Sequence, residues 1–415
     1  MISLSKIRNV HYGWIIVATG ALVLFSCLGL ARFAYTMLLP GMQAGLGLSY
    51  DRMGFIGTAN FIGYLVAVIL APTLLSRFRP HPTIAAALLL IALGMFGISQ
   101  SQNFAMVSLL YTLVGIGTGF ANIPMMVLLT YWFHSDQRGK AAGLVIGGNG
   151  MGIIFAGFLI PLLNHGYGPD GWRMGWSVIG LISLMTAACA ALLLRSHPSD
   201  LGLEPVGRPL SMTPDQLKPH HRPSVGSILL RLGLLYLVFG ATFMIYGTFI
   251  VTTMVKEYGF SEQQAGLYWS WVGFFSLFSG VGFGALSDMI GRKRGLALVF
   301  AVQTAAYLLA GLKLGSMALM VSIVLYGLAV FAIPTIMAAA VGDYVGLSRA
   351  AGAFTTITLF FALGQAVGPG SAGLIAGATG SFTAAYQVAS LLTASAAVLA
   401  VTLPSPGDAP AGNAS

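Results

Sequence analysis

Apolar residues run through the chain in long unbroken stretches, separated by short groups of charge, proline and glycine. Twelve such stretches stand out. In the first half they are Gly13–Leu39, Gly54–Leu75, Thr83–Ser99, Val107–Phe133, Ala141–Leu163 and Met174–Leu194. In the second half they are Leu229–Thr253, Ala265–Leu286, Leu296–Leu314, Ala318–Val341, Ala353–Ala376 and Ala384–Leu403. Each is close to the ~20 residues that a helix needs to cross hydrocarbon. None alternates at period two, as the strands of a membrane barrel would. The pattern predicts an all-α membrane protein of twelve transmembrane helices.

Composition agrees. Hydrophobic residues are 57% of the chain and charged residues 7%, too few charges to cover the surface of a soluble domain this long. That excludes a cytosolic enzyme, a disordered chain and a nucleic-acid binder. Cys27 and Cys189 both lie in apolar runs and are expected as packing residues, with neither a disulfide nor a metal site. The first apolar run is too long for a cleavable signal peptide.

The net charge of +9 matters through its placement. With the N-terminus inside, the Lys and Arg residues fall in inner loops except Arg52, Arg173, Lys256 and Lys313 outside and Arg32 within a span. That split predicts cytoplasmic termini and an even number of crossings. Residues 196–227 are rich in Pro, His and charge and read as a flexible cytoplasmic linker. They divide the chain into an N-terminal six-helix bundle at 1–195 and a C-terminal bundle with a short tail at 228–415.

The halves repeat. Gly29-x5-Tyr35 matches Gly240-x5-Tyr246 at an offset of 211, and Pro124 matches Pro334 at 210. Arg138 matches Arg349 at 211. Six being even, both halves start at the same face, which makes the repeat parallel.

One formal charge lies well inside a span. Arg32 stands 18 residues past Trp14, roughly 27 Å along a helix. A charge at such depth costs ~2.5–3.5 kcal/mol on insertion scales. All 11 acidic residues fall in loops, at span ends or in the tail. No span therefore offers Arg32 a carboxylate, and a substrate anion is expected in that role. No His lies in mid-span, so no dedicated proton carrier is visible. Tyr35, three residues on, is expected on the face of Arg32. Tyr246 is its repeat partner, and the two could donate to a carboxylate from both sides of a central cavity. Interfacial anchoring is the other reading of such tyrosines. Asn60, Asn122, Asn149, Gln303 and Gln365 are further polar residues in spans, and they serve either a substrate or helix–helix hydrogen bonds. The glycines around Asn149 suit close helix packing.

The stretch Gly284-Ala-Leu-Ser-Asp288-Met-Ile-Gly291-Arg292-Lys293-Arg294 resembles the G-x-x-x-D-R-x-G-R-K loop motif of the major facilitator superfamily. Its first-half counterpart, Ser76-Arg77-Phe78-Arg79-Pro80, has lost the Asp and the glycines. His11-Tyr12-Gly13-Trp14 resembles the start of monocarboxylate-transporter-like members. Gly29-Leu-Ala-Arg32-Phe-Ala-Tyr35-Thr-Met-Leu-Leu-Pro40 resembles bacterial YbfB/YjiJ-type members. The resemblance implies two pseudo-symmetric six-helix bundles that alternate access to a central site, and it places Asn122 on a cavity-lining helix. It also implies a gate. Asp288 would face the start of the fifth span near Arg138, and Arg292 would reach Asp343 when the cytoplasmic side is closed.

The expected protein is a monomeric secondary transporter of the bacterial inner membrane. It would carry a small organic anion such as a monocarboxylate, by exchange or with protons, and use no cofactor. Two rivals fit: an exporter of hydrophobic or drug-like compounds in which Arg32 is structural, and a membrane sensor that keeps the fold without turnover. No nucleophile, metal set or phosphate loop suggests an enzyme.

Overall fold

A computed structural model describes residues 11–208 and 225–404. Among the described residues, eleven apolar helical segments are long enough to span a membrane, and one of them, Ser135–Leu193, is 59 residues long. That segment is two helices joined by a short 3-10 turn at Gly168–Asp170, where Gly168 takes φ +57° to reverse the chain. Twelve crossings result. In the first half they are α1 (Tyr12–Leu46), α2 (Tyr50–Arg77), α3 (Pro80–Ser99), α4 (Phe104–Trp132), α5 (Ser135–Tyr167) and α6 (Gly171–Leu193). In the second half they are α7 (Val225–Lys256), α8 (Glu262–Ile290), α9 (Arg292–Gly311), α10 (Ser316–Val345), α11 (Leu347–Thr379) and α12 (Thr383–Val401).

The ends are set by ordinary capping chemistry. Asn103 accepts the amide of Met106 at the start of α4. Ser261 and Gln264 form a capping box on α8. Pro80 occupies the first turn of α3, where its missing N–H costs nothing. The helices outrun the apolar stretches by up to two turns, because polar residues at a membrane surface continue a helix freely. The segment read from the sequence as a loop motif is an instance. Gly284–Ile290 is the last part of α8, Arg292–Arg294 opens α9, and the turn is Gly291 alone, at φ +90°.

By contacts, the chain divides into a unit of residues 1–46 and 62–211 and a unit of 47–61 and 212–415. The division runs through α2. Two equivalent helix pairs pack closely in each unit: α1 with α5 and α3 with α6 in the first, α7 with α11 and α9 with α12 in the second. Large apolar side chains such as Trp132, Trp172 and Trp176 in the first unit and Trp269 and Tyr326 in the second are fully buried. Others, such as Leu162, Leu192 and Leu391, are exposed, as lipid-facing positions are.

The predicted linker is ordered in its first part. His134 N–H donates to Val206 O and Val206 N–H to Trp132 O, each at 2.9 Å. Trp132 Nε1 donates to Arg195 O at 2.8 Å, and Arg208 N–H to Asp136 Oδ1 at 3.1 Å. Residues 196–208 therefore lie docked on the end of α4 and the start of α5 of the first unit. The remainder of the linker up to residue 224, the first ten residues and the tail from 405 are outside the described residues.

Candidate functional site

The first helix is not a continuous α-helix. Tyr12–Leu24 is α-helical, Phe25–Leu30 widens to a π-helix, residues 31–33 form a turn, and α-helix resumes at Ala34. The amide of Ala31 bonds Ser26 O at 2.9 Å and that of Phe33 bonds Leu28 O at 3.3 Å, both spanning five residues. Wide turns of this kind cluster at functional sites. Arg32 sits in the break.

The break is built by neighbouring helices of the first unit. A side chain at Gly29 would collide with the backbone of Gly152, whose Cα lies 2.7 Å from where its Cβ would be, so α5 can press against the π segment. Carbonyls disturbed by the widening find donors on α4. Thr118 Oγ1 donates to Cys27 O at 3.2 Å, and the Tyr111 hydroxyl lies 3.1 Å from Ala31 O and 3.4 Å from Arg32 O. Buried backbone acceptors in hydrocarbon need such partners.

The Arg32 side chain is 9% exposed. Its guanidinium lies over the Tyr64 ring of α2, 4.5 Å from the centroid, a cation–π contact. Asn122 Nδ2 of α4 donates to the Tyr64 hydroxyl at 3.4 Å. Arg32, Tyr64 and Asn122 are thus one constellation, held by three helices. The sequence offered Arg32 and Asn122 as candidates. It gave no reason to choose Tyr64 among 15 tyrosines, since the pairing exists only in space.

Tyr35 departs from expectation. The argument that it shares a face with Arg32 assumed a continuous α-helix, and the turn intervenes. Its ring packs 5.0 Å from that of Tyr111. Tyr246 departs further. It is fully buried within the second unit, its hydroxyl 2.7 Å from Ser322 Oγ and its ring 4.3 Å from that of Tyr326. The hydroxyl expected to meet a substrate is turned into its own bundle.

Asn60, Asn149 and Gln365 are the remaining candidates. Asn60 is buried on the part of α2 counted with the second unit. Asn149 is buried on α5 beside Gly148 and Gly152, which let α5 approach Ala21 and Gly29. Gln365 is buried on α11, and neither of its amide atoms has a hydrogen-bond partner.

At the turn after α8, Arg292 Nε donates to Asp343 Oδ2 of α10 at 2.7 Å. The Arg292 guanidinium also binds Asp288 one turn back and Ser287 Oγ at 3.3 Å. The structure so brings together Asp288, Arg292 and Asp343 around Gly291. Gly284 lies on α8 against Thr335 of α10. Arg138 instead closes the end of α4, donating to Phe133 O at 3.4 Å and Thr130 O at 3.5 Å.

Comparison with known proteins agrees with this architecture. A bacterial homologue of the human lysosomal transporter Spinster, in an inward-facing and unoccupied conformation, superposes with a TM-score of 0.72 at 16% identity, covering 94% of this chain and 95% of that one. The nucleoside transporter NupG gives 0.72 at 12% identity, covering 95% and 100%. The hexuronate transporter of Bacillus subtilis is 22% identical over 374 residues, 87% of each chain. Monocarboxylate transporter 4 of Rattus norvegicus is 24% identical over 280 residues, 64% of this chain and 56% of its own. Other alignments span 40% of a probable hexose phosphate transport protein of Chlamydia pneumoniae and 50% of nitrate transporter 2.1 of Chlamydomonas reinhardtii. The family described as the uncharacterised MFS-type transporter YbfB matches residues 24–403, and this chain is a member of it.

Proposed function

We propose that this transporter carries a small organic anion of the monocarboxylate type, with Arg32 as the anion-binding group. The observation that carries the reading is a guanidinium buried at a break in a membrane helix, lying over an aromatic ring. An Arg in that setting offers planar, bidentate donors to a carboxylate. Asn122 and Tyr64 add neutral polar groups beside it. The relatives support the charge and leave the body of the substrate open: hexose phosphate, nitrate, monocarboxylate and hexuronate differ in shape, yet each is an anion at neutral pH. The charge split of the loops supports residence in a bacterial inner membrane with both termini inside.

The test is binding to purified protein, with a panel of monocarboxylates and a lipophilic cation as the contrasting ligand. Arg32→Ala is expected to weaken carboxylate binding about 10- to 150-fold, the equivalent of one charge-assisted hydrogen bond of ~1.5–3 kcal/mol. Arg32→Lys keeps the charge, loses the fork and should also be weaker. An Arg32→Ala protein that binds carboxylates like the wild type overturns the reading. Preference for the lipophilic cation in both proteins would establish the exporter instead.

A further inference from the structure

We propose that Thr58 is a two-position latch that fastens the N-terminal half of α2 to α11 by inserting its hydroxyl into the hydrogen-bond ladder of α11. The contact lies within the second unit, which includes residues 47–61, and it does not depend on what the substrate is.

Thr58 Oγ1 donates to Ala366 O at 2.6 Å. The same oxygen accepts from the Gly370 amide at 3.0 Å. Ala366 and Gly370 are four residues apart, so their C=O and N–H are the two groups that an α-helix joins to each other. One hydroxyl from another helix bonds both. The site is prepared by Pro369, which lies inside α11 and brings no N–H of its own. Side-chain insertion next to a proline is a recognised origin of local helix distortion.

The surrounding surface is shaped for close approach. A Cβ on Gly54 would lie 2.4 Å from Pro369 O, and one on Gly373 would lie 2.6 Å from Tyr50 O. The two backbones therefore touch, which small residues permit. A Cβ on Gly370 would crowd the Thr58 hydroxyl at 2.9 Å.

What makes this a latch is that neither state strands a polar group. With Thr58 in place, the hydroxyl satisfies the Ala366 carbonyl and the Gly370 amide. With Thr58 withdrawn, those two groups can close on each other as ordinary ladder partners, and the Thr58 hydroxyl can turn to the Gly54 carbonyl one turn back in its own helix. Breaking a fixed hydrogen bond inside hydrocarbon would leave costly orphans. Here the orphans vanish as they form, so the helices can part and rejoin at low cost. Beyond residue 61, α2 packs within the first unit. Release at Thr58 is thus the step that frees the N-terminal half of this helix from the second unit during a transport cycle.

The experiment is disulfide trapping in full-length protein in native membranes. Asp51 Cβ lies 3.9 Å from the Cβ position of Gly377, within the range for a disulfide. Asp51→Cys with Gly377→Cys should cross-link rapidly, and either single variant should not. Adding Thr58→Val removes the hydroxyl at constant shape and is expected to slow cross-linking about tenfold, as loss of about one net hydrogen bond would. Thr58→Ser should restore the parental rate. If valine is not tolerated, as judged by a monodisperse peak in size exclusion, Thr58→Ala tests the same loss. Equal cross-linking in the hydroxyl-bearing and hydroxyl-free proteins overturns the latch. A rate that falls in Val, Ala and Ser alike also overturns it, because it assigns the effect to packing.

Discussion

The two halves of the repeat solve one problem in the same way and then part company at a single position. In the first unit, the Tyr111 hydroxyl of α4 donates to Ala31 O at 3.1 Å and Arg32 O at 3.4 Å, and its ring lies tilted against Tyr35 of α1. In the second, Tyr326 of α10 donates to Phe243 O at 3.0 Å and stacks on Tyr246 of α7. Arg32 and Phe243 are equivalent at the offset of 211, and so are Tyr35 and Tyr246. Both halves therefore keep a tyrosine that ties the fourth helix to the first. In one the tied residue is a buried cation at a break, over Tyr64. In the other it is a phenyl ring in an unbroken helix, stacked in series with Phe239 and near Phe331. The shared tyrosine belongs to packing. The arginine and the break are the additions, and additions to a shared scaffold are where function is expected to reside.

Exchanging the additions is the most direct way to break the comparison. Arg32→Phe makes the first frame chemically like the second. It should abolish carboxylate binding, with a loss of at least the ~1.5–3 kcal/mol of a charge-assisted hydrogen bond, while purified protein remains folded. Isothermal titration of the variant against the wild type measures it. The reverse change, Phe243→Arg, should not create a second site. The rings around Phe243 already pack on one another beside an unbroken helix, so the new charge finds no opening like the one at Arg32. It should cost ~2.5–3.5 kcal/mol, seen as lost yield or a lowered melting temperature in detergent. A well-folded Phe243→Arg protein would show that the second unit tolerates a cation, and the contrast drawn here would weaken.

A finer test removes the shared tyrosine hydroxyl from each half. Tyr111→Phe takes a donor away from the carbonyls of Ala31 and Arg32 in a stretch where the α-helical ladder is interrupted. The expected cost is about 1–3 kcal/mol, that of a buried acceptor left unsatisfied. Carboxylate affinity should fall with it as Arg32 loses its fixed position. Tyr326→Phe acts on a carbonyl in a continuous helix, which keeps its ladder donor. The expected cost is about 0.5–1.5 kcal/mol, with no change in affinity. Thermal unfolding of the two variants, side by side, reads the difference. Equal costs would mean that the break needs Tyr111 no more than an intact helix needs Tyr326.

How much of this was legible beforehand follows from which forces act along the chain and which act across it. Twelve crossings and a parallel repeat were readable because hydrophobic runs and offsets near 211 are properties of the chain itself. Arg32 was readable because a charge in an apolar run is costly wherever it ends up. The break at residues 25–33 was not, since Phe25 to Phe33 holds no proline and a π-helix has no residue signature of its own. Tyr326 stands 215 residues after Tyr111, four more than the main offset, so a fixed-offset comparison misses their equivalence by about one helical turn. Tyr246 misled for the opposite reason: its offset is right, but its hydroxyl goes to Ser322. Ser322 takes the place across from it through tertiary packing, which no spacing rule reports.

The last test is at Tyr64, and it sharpens what the arginine requires. The ring lies under the guanidinium, while the hydroxyl accepts from Asn122. The two roles separate by substitution. Tyr64→Phe keeps the face of the ring and loses the hydroxyl, with its long 3.4 Å contact to Asn122 and its hydrogen bond to the Arg32 side chain. Carboxylate affinity should fall by no more than a few fold. Tyr64→Leu removes the aromatic face as well. A desolvated cation–π contact is worth about 2 kcal/mol, so leucine should weaken binding roughly 30-fold by loosening the guanidinium. Asn122→Ala should match Tyr64→Phe if Asn122 acts through the tyrosine. It should exceed Tyr64→Phe if Asn122 meets the substrate itself. Affinities of the three variants for one monocarboxylate decide between these arrangements. Phenylalanine and leucine proteins of equal affinity would show that Arg32 is held by its own helix break, with the Tyr64 ring a bystander.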